Sequence, residues 1–450
     1  MARELEARHH REGSNSAQIA EVRSNPRDFA RAYVGLHPRK GRDCPDFVLP
    51  HAAQSRGVRQ IRTVPKRQYR RAMTAPSKAP RLAALDRARG LAMALMALDH
   101  TRDYFGDHSI RATDLTQASA PLFFTRWITH FCAPTFVLLA GTSAYLHGRR
   151  LSGAELSRFL VTRGLWLIVL ELTIVRAGWS FAVHMPRVTL QVIWALGWSM
   201  VALGALRALP RWAIALFGAV VCIGHNALDG VHFSSSLWAI AHESRRFALG
   251  PIRVFVLYPL VPWVGLMALG YAIGPVFERP EREQRRTLAA IGVACLAAFV
   301  ALRVPNLYGD PTPWRPVARA GFSALAVLNT AKYPPSLAYL LMTVGPLFLL
   351  LAWWTHERAA LGDRLATLGR VPLFFYVVHL PLLQLSAGLF LLARGGVAAI
   401  EAALASGRGT GLSLPLVFLV WALVLAALYP ACVWFAALKR RRTDWWLSYM

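Results

Sequence analysis

Between Arg81 and His108 the chain reads RLAALDRARGLAMALMALDHTRDYFGDH, an apolar stretch with ionisable groups at both ends. Asp86, Arg87 and Arg89 precede its oily centre, and Asp99, His100, Arg102 and Asp103 follow it. A charge at the middle of a bilayer costs about 2.5 kcal/mol or more, and charges that persist there face a bundle interior or a watery cavity. Arg89 and His100 are eleven residues apart. That is close to three full helical turns, so one helix face presents both, roughly 16 Å apart along the axis. Asp86, one turn before Arg89, is placed to pair with it. Asp99 and Asp103 lie on either side of His100, and a carboxylate beside an imidazole orients it and raises its basicity, as a general base requires. The plainer reading makes Asp86 and Arg89 interfacial anchors and His100 the mere end of a span.

Further ionisable groups fall inside apolar runs. In FFTRWITHFCAPTFVLLAG, Arg126 and His130 are four residues apart and share a face. Glu171 sits mid-helix in TRGLWLIVLELT, as a site residue or as an interhelical partner for Arg89 or Arg126. His379 lies near the centre of GRVPLFFYVVHLPLLQL, two residues before Pro381, which removes a backbone hydrogen bond. It lines a cavity or bonds across helices. Lys332 and Tyr333, in TAKYPPS, are placed to touch a polar ligand or to shape the entry to a span. The five cysteines show no CxxC spacing, so they read as small buried hydrophobes, and neither a metal nor a disulfide framework is expected. There is no GxxxxGK[ST], HExxH or GxSxG, so phosphoryl transfer from a bound nucleotide has no support.

The elements that must position these groups are membrane helices. The 450 residues are 55% hydrophobic, and the apolar residues fall in runs of about 18 to 25, enough to cross roughly 30 Å of hydrocarbon. The fold class is all-α, a polytopic membrane protein with about ten transmembrane helices, near 84–105, 122–146, 160–178, 188–207, 211–229, 254–276, 286–303, 336–354, 371–394 and 412–437. The net charge of +27 is what basic loops beside a bilayer produce. It points to anionic lipid rather than nucleic acid. With the basic ends inside, the loops HGRRLSGAELSRFLVTR, ERPEREQRR and HERAALGDRLATLGR lie on the cytoplasmic side and both termini are cytoplasmic. The outer loops are longer, and they hold the residues able to do chemistry. Residues 1–80 are polar, Arg-rich and dotted with Pro, a basic tail without a core. No apolar h-region follows Met1, so no signal peptide is expected, and Met73 reads as an alternative translation start. Residues 81–438 form the transmembrane domain and 439–450 a basic cytoplasmic tail.

The opening LDRARGLAMALMALDH resembles the first helix of integral-membrane acyltransferases, which begin Leu-Asp-x-x-Arg-Gly and leave ten residues between that Arg and a His. Arg89 and His100 match that spacing. The longer stretch from 81 to about 395 resembles the bacterial relatives of heparan-alpha-glucosaminide N-acetyltransferase. The likeness runs through LFFTRWITHFCAPTFVLLAGTSAYL, VTRGLWLIVLELT, VIWALGWSM, YPLVPWVGLMALGYAIG, AKYPPSLAYLLMTVGP and GRVPLFFYVVHLPLL. The resemblance implies transfer of an acetyl group from cytoplasmic acetyl-CoA to an outer acceptor sugar. It offers two reacting imidazoles. A catalytic His in the first luminal loop of the lysosomal enzyme corresponds to His108, whereas the wider acyltransferase pattern points to His100. An acidic residue of the lysosomal enzyme falls at His130 here, a departure.

These readings combine into a mechanism for an inner-membrane enzyme. Acyl-CoA docks at inner arginines such as Arg89, Arg149, Arg150 and Arg163. His100, oriented by Asp99 or Asp103, takes a proton from the acceptor or relays the acyl group, while Arg126 or Lys332 holds the oxyanion or an anionic acceptor. An envelope glycan or other small molecule is the expected acceptor, and a homodimer is left open. The alternatives are a transporter or flippase that uses the same buried groups as a coupling path, and a non-catalytic envelope partner.

Overall fold

A computed structural model describes residues 83–180, 186–355, 360–406, 409–442 and 444–449. The N-terminal tail, the start at Met73 and Cys44 lie outside the described residues. The chain divides into Met1–Pro65 and Lys66–Met450, and the description concerns the second unit.

In chain order the elements are α1 (Ala83–Phe105), α2 (Ala120–Ile128), α3 (Cys132–Gly148), α4 (Gly153–Leu170), α5 (Arg176–Ser180), β1 (Arg187–Leu190), α6 (Val192–Leu206), α7 (Arg211–Gly224) and α8 (Ser236–Ala241). Then follow β2 (Arg246–Leu249), β3 (Ile252–Val256), α9 (Leu260–Ala272), α10 (Glu281–Arg303), α11 (Phe322–Leu328), α12 (Leu337–Trp354), α13 (Ala360–Gly369), α14 (Pro372–Ser406) and α15 (Leu414–Arg441). The protein is an α-helical polytopic membrane protein. Among the described residues, seven helical stretches are long and apolar enough to cross a membrane. The other three expected spans do not meet that measure. α1 carries Asp86, Arg87, Arg89, Asp99, Arg102 and Asp103, α4 carries Glu155, Arg158 and Arg163, and α6 has 15 residues.

Capping chemistry sets several helix starts. The Ser119 hydroxyl accepts from Leu122 N at α2, with Pro121 in the first turn. Ser152 and Glu155 form a reciprocal capping box at α4, and Ser336 caps α12. On α7, Leu216, Val220 and Ile223 leave an exposed apolar stripe at helical spacing, and Leu416, Leu419 and Leu423 do the same on α15. Such a surface suits lipid.

Small residues let backbones meet where lipid supplies no hydrophobic drive between helices. The α1–α13 crossing is the tightest case. A Cβ on Gly90 would lie 1.8 Å from the Leu365 carbonyl oxygen, and one on Gly369 would lie 1.8 Å from that of Asp86. α4 and α6 cross in the same manner at Gly164 and Gly197.

Two features differ from the sequence reading. The long connectors carry a three-stranded sheet of order β1-β3-β2, with β1 parallel to β3 from Arg187 opposite Arg253, and β2 antiparallel to it. Gly250, at φ +58, turns β2 into β3. Strands of four or five residues are too short to stand out against the apolar runs. The C-terminal segment also folds back: Leu447 is buried, and the Tyr449 hydroxyl donates to Thr162 Oγ1 at 3.4 Å on α4.

Candidate active site

The last turns of α1 bring Asp99, His100, Arg102 and Asp103 against the α2 end. Asp99 is the hub of an ionic cluster. It accepts from Arg102 at 2.7 Å, from Arg126 at 3.2 Å and from the Thr129 hydroxyl at 3.0 Å. Arg102 also bonds Asp103 at 2.8 Å. Arg126 lies against the Tyr333 phenol, and the Lys332 ammonium sits 5.2 Å from the Tyr333 ring centre. Three cations thus surround two carboxylates. The excess of one positive charge favours negative charge developing nearby, and more so where water is scarce.

His100 turns away from this cluster toward α14. Its Nδ1 lies 2.7 Å from His379 Nε2, with the rings nearly parallel at 13°. His379 is fully buried, and its Nδ1 lies 3.0 Å and 2.8 Å from the carbonyl oxygens of Phe375 and Tyr376. Carbonyl oxygens only accept, so Nδ1 of His379 carries the proton. A neutral His379 then has a bare Nε2, which accepts from His100 Nδ1. A neutral His100 is left with an unprotonated Nε2, and that atom has no hydrogen-bond partner among the described residues. The proton chain therefore ends in a free imidazole lone pair, the form in which His acts as base or nucleophile. Trp179 and His100 pack edge to face with ring centres 4.8 Å apart, and the Tyr104 hydroxyl donates to the Trp179 carbonyl at 3.0 Å.

The expected carboxylate–imidazole pair is corrected by this geometry. Neither Asp99 nor Asp103 hydrogen-bonds His100, because the arginines claim both carboxylates, and His379 orients the ring instead. Arg126 is likewise engaged with Asp99. His130 is buried, its carbonyl accepts from the Tyr339 hydroxyl at 2.7 Å and its Nδ1 has no partner among the described residues, so it packs beside the cluster without joining the histidine pair. Glu171 is no partner for Arg89 or Arg126. Its Oε2 accepts from the backbone N–H of Ile193 at 3.2 Å and of Trp194 at 3.3 Å, capping α6 from the π-helical turn Glu171–Val175. His108 is exposed and its Nε2 lies 3.0 Å from the Asp103 carbonyl, outside the pair.

At the other end of α1, Asp86 pairs with Arg89 at 3.0 Å, as its position predicts, and approaches Arg370 at 3.8 Å. Arg89 also reaches Ser143 on α3. Arg87 reaches Asp363 at 3.7 Å. This end is a basic patch tied to α13. Arg89 and His100 share a helix face by spacing, yet they engage different neighbours, α3 and α14.

Sequence reading missed Thr129, Trp179 and Tyr376. Thr129 lies three residues after Arg126 and Tyr376 three before His379, so helical spacing from a known site residue signals both. Trp179 has no such signal. Neither of the two cavities described is lined by His100 or His379. One, of about 220 Å³, is lined by Asn226, Asp229, Arg303 and Asp310 among others, and one of about 490 Å³ by Asp107, Arg394 and Thr410.

Fold and site together define a helical membrane protein with an ionic cluster and a histidine pair packed between its first helix and two neighbours. Residues 81–303 match the family model of heparan-alpha-glucosaminide N-acetyltransferase, catalytic. That segment is similar to the acetyltransferase family; it holds α1 to α10 and hence His100, Asp99 and Arg126, while His379 and Lys332 lie beyond it. No curated protein matches the chain.

Proposed function

We propose that the protein transfers an acetyl group across the membrane from acetyl-CoA to a sugar hydroxyl or amine of an envelope glycan or small acceptor. The observation that carries this reading is the His100–His379 pair, which leaves a bare His100 Nε2 beside a net-positive cluster, within a segment that matches an acetyltransferase catalytic family. The basic end around Arg89, Arg163 and Arg370 faces the cytoplasm of an inner-membrane protein and receives the CoA phosphates, in keeping with the basic bias of its loops. His100 Nε2 takes the acceptor proton as the acceptor oxygen or nitrogen attacks the thioester carbonyl. The C–S bond breaks, and the proton passes on to the departing thiolate. His379 fixes the His100 ring and shares the charge that forms on it. Lys332 supports the oxyanion. In the relay form, His100 Nε2 itself attacks the thioester carbonyl, the C–S bond breaks and CoA leaves as the thiolate; the acetyl-imidazolium then passes its acetyl group to the acceptor, whose proton goes to the thiolate.

Purified protein in liposomes, given radiolabelled acetyl-CoA and a mixture of envelope glycans and amino sugars, tests the reading. Label transfer by the wild type should fall on the order of a hundredfold or more in His100→Ala, the usual weight of a general base. Transfer unchanged in His100→Ala overturns the site. Movement of a solute without CoA consumption overturns the enzyme and favours a transporter.

A further inference from the structure

A second cluster of polar side chains lies away from the histidine pair, in the connector after α7. Gly224 ends that helix, and a short 3-10 turn, His225–Leu228, runs on to Asp229. His225 opens this turn and Asp229 closes it. α8 ends at His242, whose φ of −136° leaves the helical conformation and brings its ring back toward the turn. The ligating atoms of His225, Asp229 and His242 all lie within 4.8 Å of one another, the one such grouping of three among the described residues.

Two observations set this grouping apart from an ordinary surface cluster. His225 and His242 are 3% and 2% exposed, and none of their four ring nitrogens has a hydrogen-bond partner among the described residues. The one polar contact of these nitrogens is that of His242 Nε2 with Asp229 Oδ1, at 3.3 Å, which leaves both nitrogens of His225 and Nδ1 of His242 without one among the described residues. Buried polar nitrogens are costly to leave unpaired, and native interiors rarely do so. Asn226 completes the arrangement. Its Oδ1 accepts from Leu337 N at 2.8 Å at the start of α12, which turns its amide nitrogen toward Asp229 Oδ2, also at 2.8 Å. The carboxylate is thus held with Oδ1 toward the histidines, as an outer partner orients a metal ligand.

We propose that His225, Asp229 and His242 bind a divalent transition-metal ion with the preferences of zinc. Two imidazoles and one carboxylate suit zinc, whereas calcium and magnesium take oxygen ligands. Bonds of about 2.0 Å in a tetrahedral site put ligand atoms about 3.3 Å apart. The His242–Asp229 edge already has that length, and small side-chain rotations bring in the wider contacts. Three protein ligands leave a fourth position for water or a small anion. Asp229 and Asn226 also line the cavity of about 220 Å³ shared with Arg303, Tyr308 and Asp310, which gives that position an approach. The ion ties α7, α8 and the connector between them into one unit. The inference is independent of acetyl transfer. The sequence expectation of no metal came from cysteine spacing, which does not register two histidines and an aspartate brought together by a loop.

Cobalt(II) titration of chelator-treated, detergent-purified protein tests it. The wild type should take up about one equivalent with visible absorption bands of a low-coordinate site, and zinc should displace it. His242→Ala and His225→Ala should each lose the bands. His232→Ala should keep them, since His232 is an exposed neighbour bonded to Glu243 at 2.7 Å. Zinc, but not magnesium, should raise the melting temperature of the wild type and leave that of His242→Ala unmoved. A wild type that binds no cobalt overturns the proposal, whether or not the variants fold. So does equal binding in wild type and a folded His242→Ala.

Discussion

Asp99 offers the sharpest test of the ionic cluster. Its carboxylate accepts from Arg102 at 2.7 Å, from Arg126 at 3.2 Å and from Thr129 at 3.0 Å. Asp99→Asn keeps the shape and removes the charge. Arg102 retains Asp103 at 2.8 Å, but Arg126 loses its one ion pair among the described residues. Removing one partner of a buried pair costs about 3–5 kcal/mol, because the other charge stays buried without compensation. The reverse change, Arg126→Gln, should cost less, since Asp99 keeps Arg102 and Thr129. The double variant should be less damaged than the two singles summed, with a coupling energy above about 1 kcal/mol. Unfolding of the purified variants in detergent, followed by tryptophan fluorescence, measures all three. An Asp99→Asn cost equal to or below that of Arg126→Gln, or a coupling within about 0.5 kcal/mol of zero, would refute the reasoning that Asp99 is the shared anion of two arginines.

Three further outcomes are expected. Glu171→Gln should stay close to wild-type stability, because an amide oxygen still accepts from Ile193 and Trp194, while Glu171→Ala should lose about 1–2 kcal/mol as a lost helix cap does; equal losses in the same unfolding assay would point to a charge partner instead. Gly90→Ala should separate α13 from α1 and expose residues 360–371 to protease, since its Cβ meets the Leu365 carbonyl, whereas Gly388→Ala, with no heavy atom within 4 Å, should be neutral. In the acetyl-transfer assay His379→Ala should lower turnover at unchanged expression while His108→Ala retains it; the opposite ranking would move the reacting imidazole to the exposed loop.

Much of the architecture was legible in the chain because bilayer crossing imposes a length and a polarity that each helix must satisfy by itself. The helix carrying Arg89 and His100, the Asp86–Arg89 pair and the polar role of His379 inside its span all follow from spacing within one segment. The short strands β1 to β3 were missed because four or five residues leave no period to detect.

Contacts between segments were not legible, and they decide the site. Spacing within α1 offers Asp99 and Asp103 as partners for His100, and nothing local reveals that arginines hold both. His100 and His379 are 279 positions apart, and only the packing of α14 on α1 makes them neighbours and sets which nitrogen is bare. Glu171 looked like an intramembrane charge in need of a cation until the fold placed the start of α6 against it. His225 and His242 were two histidines in a loop until one helix end and one short helix brought their imidazoles together beside Asp229. The sequence by itself determined what each helix must be, because a span satisfies its own backbone hydrogen bonds. The tertiary structure alone decided which side chains meet, because a buried polar group is defined by the neighbour that satisfies it.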